Sequence, residues 1–409
     1  MNDARPLGKL HAWAVAAVAT TVMSVSYIDR QTLAALAPTV KKALDLDHTQ
    51  YGLLTSAFSI AYLVGAPPAG VLIDAPGARR GLVVAVLAWS AVAALHAVVP
   101  GFGALFALRI LLGLTEAPSF PAATQSIRRV LPPESRSAGF GLLFTGSSIG
   151  SMIAAPLAVR LSKGFGWRAA FVGTALVGLA WVPLWVLASA SPGARARLDL
   201  SDGSARPARG GYGGLLVEPA VWRALAVIAA SAPGIMFVLN WLPQLMVDAR
   251  GMTQEDVGSY AWMPPVLFDA GALAFGWLAS RRDAAAGPYG HRGLLAVAAA
   301  LASLLALLPL VDQPVPLMLV AGAAMAGGAG MYVLATADLL ARVAPTRTSS
   351  ASGLCAAAQS LMHVVVNPLM GRWLDRTHDY GPVLVTLGLL AIPGALAFGA
   401  IRPAPRAAA

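Results

Sequence analysis

Apolar residues run along this chain in blocks of about twenty, and polar residues gather between the blocks. Six blocks lie near residues 11–37, 51–73, 81–99, 102–127, 138–159 and 167–190, and six more near 223–247, 257–280, 293–311, 315–341, 349–371 and 381–401. A helix of that length crosses the hydrocarbon core of a bilayer while satisfying its own backbone hydrogen bonds, which no water is present to satisfy. The pattern predicts an all-α membrane protein of twelve transmembrane helices. After the sixth block the chain changes character: "SPGARARLDLSDGSARPARGGYGG" is rich in Gly, Pro, Ser and Arg and reads as a polar linker. The expected organisation is a six-helix bundle over residues 1–190, a cytoplasmic linker over 191–222 and a second six-helix bundle over 223–409.

The two halves echo one another at an offset of about 210 residues, as an internal repeat would. "YIDRQTLAALAPTV" corresponds to "VLNWLPQLMVDARG", setting Asn240 opposite Asp29, and "PPESRSAG" corresponds to "APTRTSSASG", setting Arg347 opposite Arg136. Two similar bundles can rock about a central site and expose it to each side in turn, so the repeat points to a transporter.

Composition narrows the classes. Of 409 residues, 57% are hydrophobic and only 12% charged, which excludes an ordinary soluble domain. The formal charge of +10 comes from Lys and Arg scattered through short loops, with no continuous stripe for nucleic acid. Counted loop by loop, the basic residues favour the side that holds both termini and the linker, so these are expected in the cytoplasm and the chain in the inner membrane. "MNDARPLGKLHAW" lacks the marks of a cleaved signal peptide, so the first block is expected to remain as a span. Cys355 is the single cysteine, excluding an internal disulfide and a Cys-rich metal site. No P-loop, GxSxG, HExxH or nucleotide fingerprint occurs, so neither an enzyme, a cofactor nor ATP-driven transport is expected.

Against this apolar background, four charges stand out. Asp29 and Arg30 lie side by side in "SVSYIDRQTLAALAP", and Arg109 and Glu116 lie seven apart in "FALRILLGLTEAPSF", on one helical face to within about 20°. Each costs about 2.5 to 3.5 kcal/mol near a helix centre, so such residues usually line a cavity and mark a pathway. Arg binds a carboxylate through a planar fork, and an intramembrane carboxyl can carry a proton. The alternative is a buried ion network that only fixes helix packing.

Between the second and third blocks, "GVLIDAPGARR" supplies Gly70, Asp74, Gly77, Arg79 and Arg80. It resembles the cytoplasmic loop signature of the major facilitator superfamily, with Ala75 and Ala78 replacing basic positions, and would act as a conformational latch. Tyr27 in "YIDR", Tyr62 in "IAYLVGAPPAG", the Arg and Glu of "RILLGLTEAPSFPA", and "NWLPQLMVDARGMTQEDVGSYAWMPPVLFDAGALAFGWLASR" resemble that superfamily's anion:cation symporter family. The resemblance implies two pseudo-symmetric bundles and import of a small organic anion by proton, or else sodium, symport. Sugar acids lead, with a monocarboxylate or aromatic acid next. It further implies Arg30 as the carboxylate ligand, Tyr27 and Tyr62 as hydroxyl donors, Asp29 and Glu116 as proton-coupling acids, and Arg109 paired with one of them.

Candidates in the second half are Asn240, Trp241, Gln359 and Asn367; the Asn and Gln amides could read a polyol but could equally join helices. Asp269 could contact substrate or steady its own helix, and His363 reads as a packed polar residue. Ser147 and Ser148 could line the cavity or permit close packing; Pro67-Pro68 and Pro264-Pro265 are expected to kink their helices. Lipid is the expected environment and a monomer the expected state. Competing functions are a proton-antiport exporter of an amphipathic or drug-like compound, and a nutrient sensor on a transporter fold.

Overall fold

The computed structural model describes residues 7–74, 77–199, 213–282, 291–343 and 348–401, without the side chains of 67–74, 137, 141, 144, 213, 282 and 348–350. Among the described residues, ten helices are long and apolar enough to cross a membrane. In unit 1 these are α1 (Lys9–Ala35), α3 (Ala78–Val98), α4 (Phe102–Val130), α5 (Arg136–Phe165) and α6 (Trp167–Ala188). The others are α7 (Pro219–Asn240), α9 (Arg292–Leu310), α10 (Pro314–Leu340), α11 (Thr348–Thr377) and α12 (Gly381–Ala400), all in unit 2. With α2 (His48–Asp74) and α8 (Met263–Arg282), of 27 and 20 residues, the number is the expected twelve.

Two compact units divide the chain: residues 1–46, 53–206 and 257–262, and residues 47–52, 207–256 and 263–409. The first turn of α2 therefore counts with unit 2. Proline starts several helices, as at Pro219 and Pro314, because its missing N–H belongs to the unbonded first turn. Pro264-Pro265 act in the same way: the helical turns Gln254–Tyr260 end before them and both fall in the first turn of α8, so the expected span 257–280 is interrupted here, where their missing N–H groups cost no helical hydrogen bond. The side chains of Pro67-Pro68, within α2, and the whole of Arg347 lie outside what is described.

In unit 1, α1 lies against α5 at backbone distance. A Cβ on Gly146 would sit 2.6 Å from the Thr20 carbonyl oxygen, and one on Gly150 would collide with that of Ser24. The Ser24 hydroxyl donates to the Gly146 carbonyl at 2.8 Å, so this part of the Gly/Ser-rich stretch is a packing seam. The segment expected as a linker begins with an ordered helix, Pro192–Leu198, capped by Ser191, whose hydroxyl accepts from the Ala194 N–H. Ala194 and Leu198 are buried in the core of unit 1, and Arg129 donates to the Leu198 carbonyl at 2.9 Å.

In unit 2, α7 stops at Asn240, and the chain passes through Trp241 into a π-helical turn, Leu245–Ala249. Trp241 is fully buried, edge-on to Tyr51, whose hydroxyl donates to the Asn240 carbonyl at 2.7 Å. At the start of α2, Asp375 accepts from the backbone N–H groups of His48 and Thr49, both at 2.8 Å, a carboxylate at a helix N-terminus. Near the chain's return, Arg223 of α7 and Arg342 both pair with Asp338 of α10, at 3.5 and 2.9 Å, and Arg223 lies over the Phe398 ring.

Candidate functional site

The site in unit 1 is organised by the helical repeat of α1. Ser26 and Arg30 are one turn apart and therefore share a face. Both reach Glu116 of α4: the Ser26 hydroxyl donates to Oε2 at 2.8 Å, and the Arg30 guanidinium to the same oxygen at 3.1 Å. The other oxygen, Oε1, is buried with no hydrogen-bond partner among the described residues. Glu116 is wholly enclosed, whereas the Arg30 side chain keeps 19% of its surface exposed.

Aromatic rings surround the guanidinium. Its carbon lies 4.6 Å from the ring centres of Tyr27 and Phe58 and 4.9 Å from that of Tyr62. Such faces attract a cation and fix its plane, leaving edge N–H groups to recognise an anion. Tyr27 is one helical turn from Arg30, while Phe58 and Tyr62 are one turn apart on α2, so two helices build the cage.

The four charges expected in one cavity do not all share it. Asp29 follows α1 round by about 100° from Arg30. Its carboxylate is 2% exposed and stands beside the Trp89 indole of α3 and the Thr174 hydroxyl of α6. Neither closes a hydrogen bond of normal geometry with it. Asp29 remains in electrostatic reach of Glu116. Arg109 is buried against Phe58, 4.8 Å from the ring centre, with Nε donating to the Leu54 carbonyl at 3.5 Å, and it too acts on Glu116 through its charge.

In unit 2 the candidates divide differently. The Trp241 indole N–H donates to Asn367 Oδ1 at 2.8 Å, and Asn367 Nδ2 donates to the His363 carbonyl at 2.7 Å. Both residues are fully buried, and these polar groups are spent on one another and on the backbone of α11. Asn240, Gln359, Asp269 and His363 are half-buried. Of the loop signature, Gly70 and Asp74 have side chains outside the description. Gly77 has φ of 81°, and a Cβ there would sit 2.8 Å from Asp199 Cα, so the position requires glycine twice over. Arg79 donates through Nε to the Ser189 hydroxyl at 3.0 Å and approaches Asp199 at 3.9 Å, while Arg80 is exposed.

Sequence reasoning missed Ser26, Phe58 and Asp338. Asp338 had a usable signal, an acid inside an apolar block four residues before Arg342. Ser26 and Phe58 had none.

Multi-pass helices that enclose an acid beside a caged arginine are the setting expected of a membrane transporter. The chain belongs to the Major Facilitator Superfamily, whose model matches residues 19–365. A hexuronate transporter of Bacillus subtilis (strain 168) is 28% identical over 271 residues, covering 62% of this chain and 61% of that relative's length. A D-galactonate transporter of Escherichia coli O6:H1 is 23% identical over 419 residues, covering 97% of this chain and 96% of the relative. In fold, the chain is similar to a bacterial homologue of the human lysosomal transporter Spinster in an inward-facing, unoccupied conformation. The TM-score is 0.73 at 16% identity, over 97% of this chain and 96% of that one.

Proposed function

We propose that this chain is a secondary active transporter that imports a sugar acid with protons by alternating access, in the inner membrane with both termini cytoplasmic. The observation that carries the reading is the caged, partly exposed Arg30 paired with the enclosed Glu116. The hexuronate and galactonate named for its relatives are carboxylates bearing many hydroxyls. Arg30 fits the carboxylate, and Tyr27 and Tyr62 stand beside it with phenolic hydroxyls for the polyol.

Charge conservation within the site supplies the coupling. Empty, Arg30 and Glu116 sum to zero. A monoanion on Arg30 would leave a net negative charge in a low-dielectric site, which is costly. A proton on Glu116 returns the sum to zero, so at least one proton accompanies each carboxylate. Asp29, held apart from the cage, is a second proton carrier that senses Glu116 through space. Gly77 and Arg79, tied to the end of α6 and to Asp199, form part of the latch.

The test is uptake of labelled glucuronate, galacturonate and galactonate into proteoliposomes, with an inward proton gradient, with a sodium gradient, and with neither. Accumulation of one of them under the proton gradient alone is expected. Arg30→Ala is expected to abolish uptake, and Glu116→Gln to retain exchange while losing accumulation. Accumulation driven by sodium alone, or by neither gradient, overturns the coupling. Failure of every carboxylate to move overturns the substrate class.

A further inference from the structure

We propose that Ser26 is a positioning residue for proton exchange at Glu116, fixing Oε2 so that Oε1 takes and releases the proton. The inference rests on the reading of Glu116 as a proton carrier. Its own basis is that two donors converge on one carboxylate oxygen and leave the other bare. Ser26 and Arg30 both donate to Oε2, while Oε1 is enclosed and without a hydrogen-bond partner among the described residues. A proton arriving at Oε2 would have to displace a donor; at Oε1 it displaces none.

The two donors differ in what can reach them. Arg30 is partly exposed and can turn its N–H groups to an incoming carboxylate. Ser26 is fully buried and cannot. When substrate draws Arg30 away, the ion pair with Oε2 is replaced by one between Arg30 and the substrate carboxylate, and the proton entering from the aqueous side forms an O–H bond at Oε1. Through this exchange the Ser26 hydroxyl is the partner that stays. It stands one helical turn from Arg30, about 6 Å along the same rigid α1, and keeps the carboxyl in register for the guanidinium's return.

A serine in an apolar helix ordinarily spends its hydroxyl on a carbonyl of its own preceding turn. Thr20 and Thr32 do so on this same helix, donating to Ala16 and Ile28. Ser26 instead reaches across to a different helix and to the one carboxylate that Arg30 also holds.

The experiment is infrared difference spectroscopy of the full chain in lipid bilayers across a pH series. The carboxylic C=O band of Glu116 is assigned by its loss in Glu116→Gln, and proton-driven uptake is measured on the same preparations. In Ser26→Ala the band's titration midpoint is expected to move upward by about one pH unit, because the ionised carboxylate loses a donor. The pH profile of uptake should move with it, and adding Ser26→Ala to Glu116→Gln should leave exchange unchanged, since the serine acts through the acid. A midpoint that coincides with wild type, while Glu116→Gln is uncoupled, overturns the serine's role alone. Loss of exchange on adding Ser26→Ala to Glu116→Gln also overturns it, as a packing effect. Accumulation that survives in Glu116→Gln instead overturns the symport reading.

Discussion

The repeat-related helices α1 and α7 treat their polar residues in opposite ways. α1 runs unbroken through Asp29 and Arg30 to Ala35, whereas α7 stops at Asn240, the position the repeat sets opposite Asp29. On α1 the arginine stays partly exposed inside an aromatic cage. After α7 the tryptophan is sealed, its indole N–H spent on Asn367. Unit 2 keeps its buried charges elsewhere, as Arg223, Asp338 and Arg342, a cluster whose side chains are almost wholly enclosed. On the proposed reading, a buried charge marks a ligand site when one member remains reachable and has a partner to exchange, and marks architecture when all members are enclosed.

That contrast can be broken at either end. The largest expected effect is structural: Asp338→Ala removes the carboxylate that pairs with two buried guanidinium groups and should lower stability by about 3 to 5 kcal/mol, read by thermal unfolding in detergent. The substrate affinity of the molecules that remain folded should not change. Next, Arg30→Ala should weaken sugar-acid binding on the order of 100-fold in equilibrium titrations, with a smaller loss of stability. Comparable losses of affinity in both variants would erase the distinction between the units. Third, Asn367→Ala leaves the Trp241 N–H unpaired and should cost about 1 to 3 kcal/mol in unfolding, with the substrate KM within about twofold of wild type. A large KM change there would return Asn367 to the binding site. The smallest effect is expected from Gln359→Ala, where a half-buried amide predicts a change in KM of about threefold or less and no shift in unfolding temperature.

Much of this was legible before any coordinates. Spans are readable because a bilayer demands a fixed length of apolar chain, and Arg30 and Glu116 are readable because each charge in such a span is costly. The rotation of neighbours was harder. Asp29 and Arg30 are adjacent in sequence, and adjacency reads as shared surroundings, yet about 100° of helical turn sends one toward α3 and α6 and the other toward α2 and α4. Trp241 and Asn367 read as ligands because their side chains can bind one; that they bind each other depends on which helices pack together. Ser26 was invisible because a serine in a membrane helix is unremarkable until its partner is known.

The sequence by itself determined how many spans the chain holds, and that the spans of the first bundle carry two arginines and two acids, Asp29, Arg30, Arg109 and Glu116. These follow from composition and spacing, through the cost of placing polar groups in hydrocarbon. Only the tertiary structure decided that Glu116 offers one occupied and one bare oxygen, that Phe58 completes the cage, and that Asp29 stands apart. Those depend on contacts between residues far apart in the chain, where a rotation of one helix by a single residue would exchange every partner.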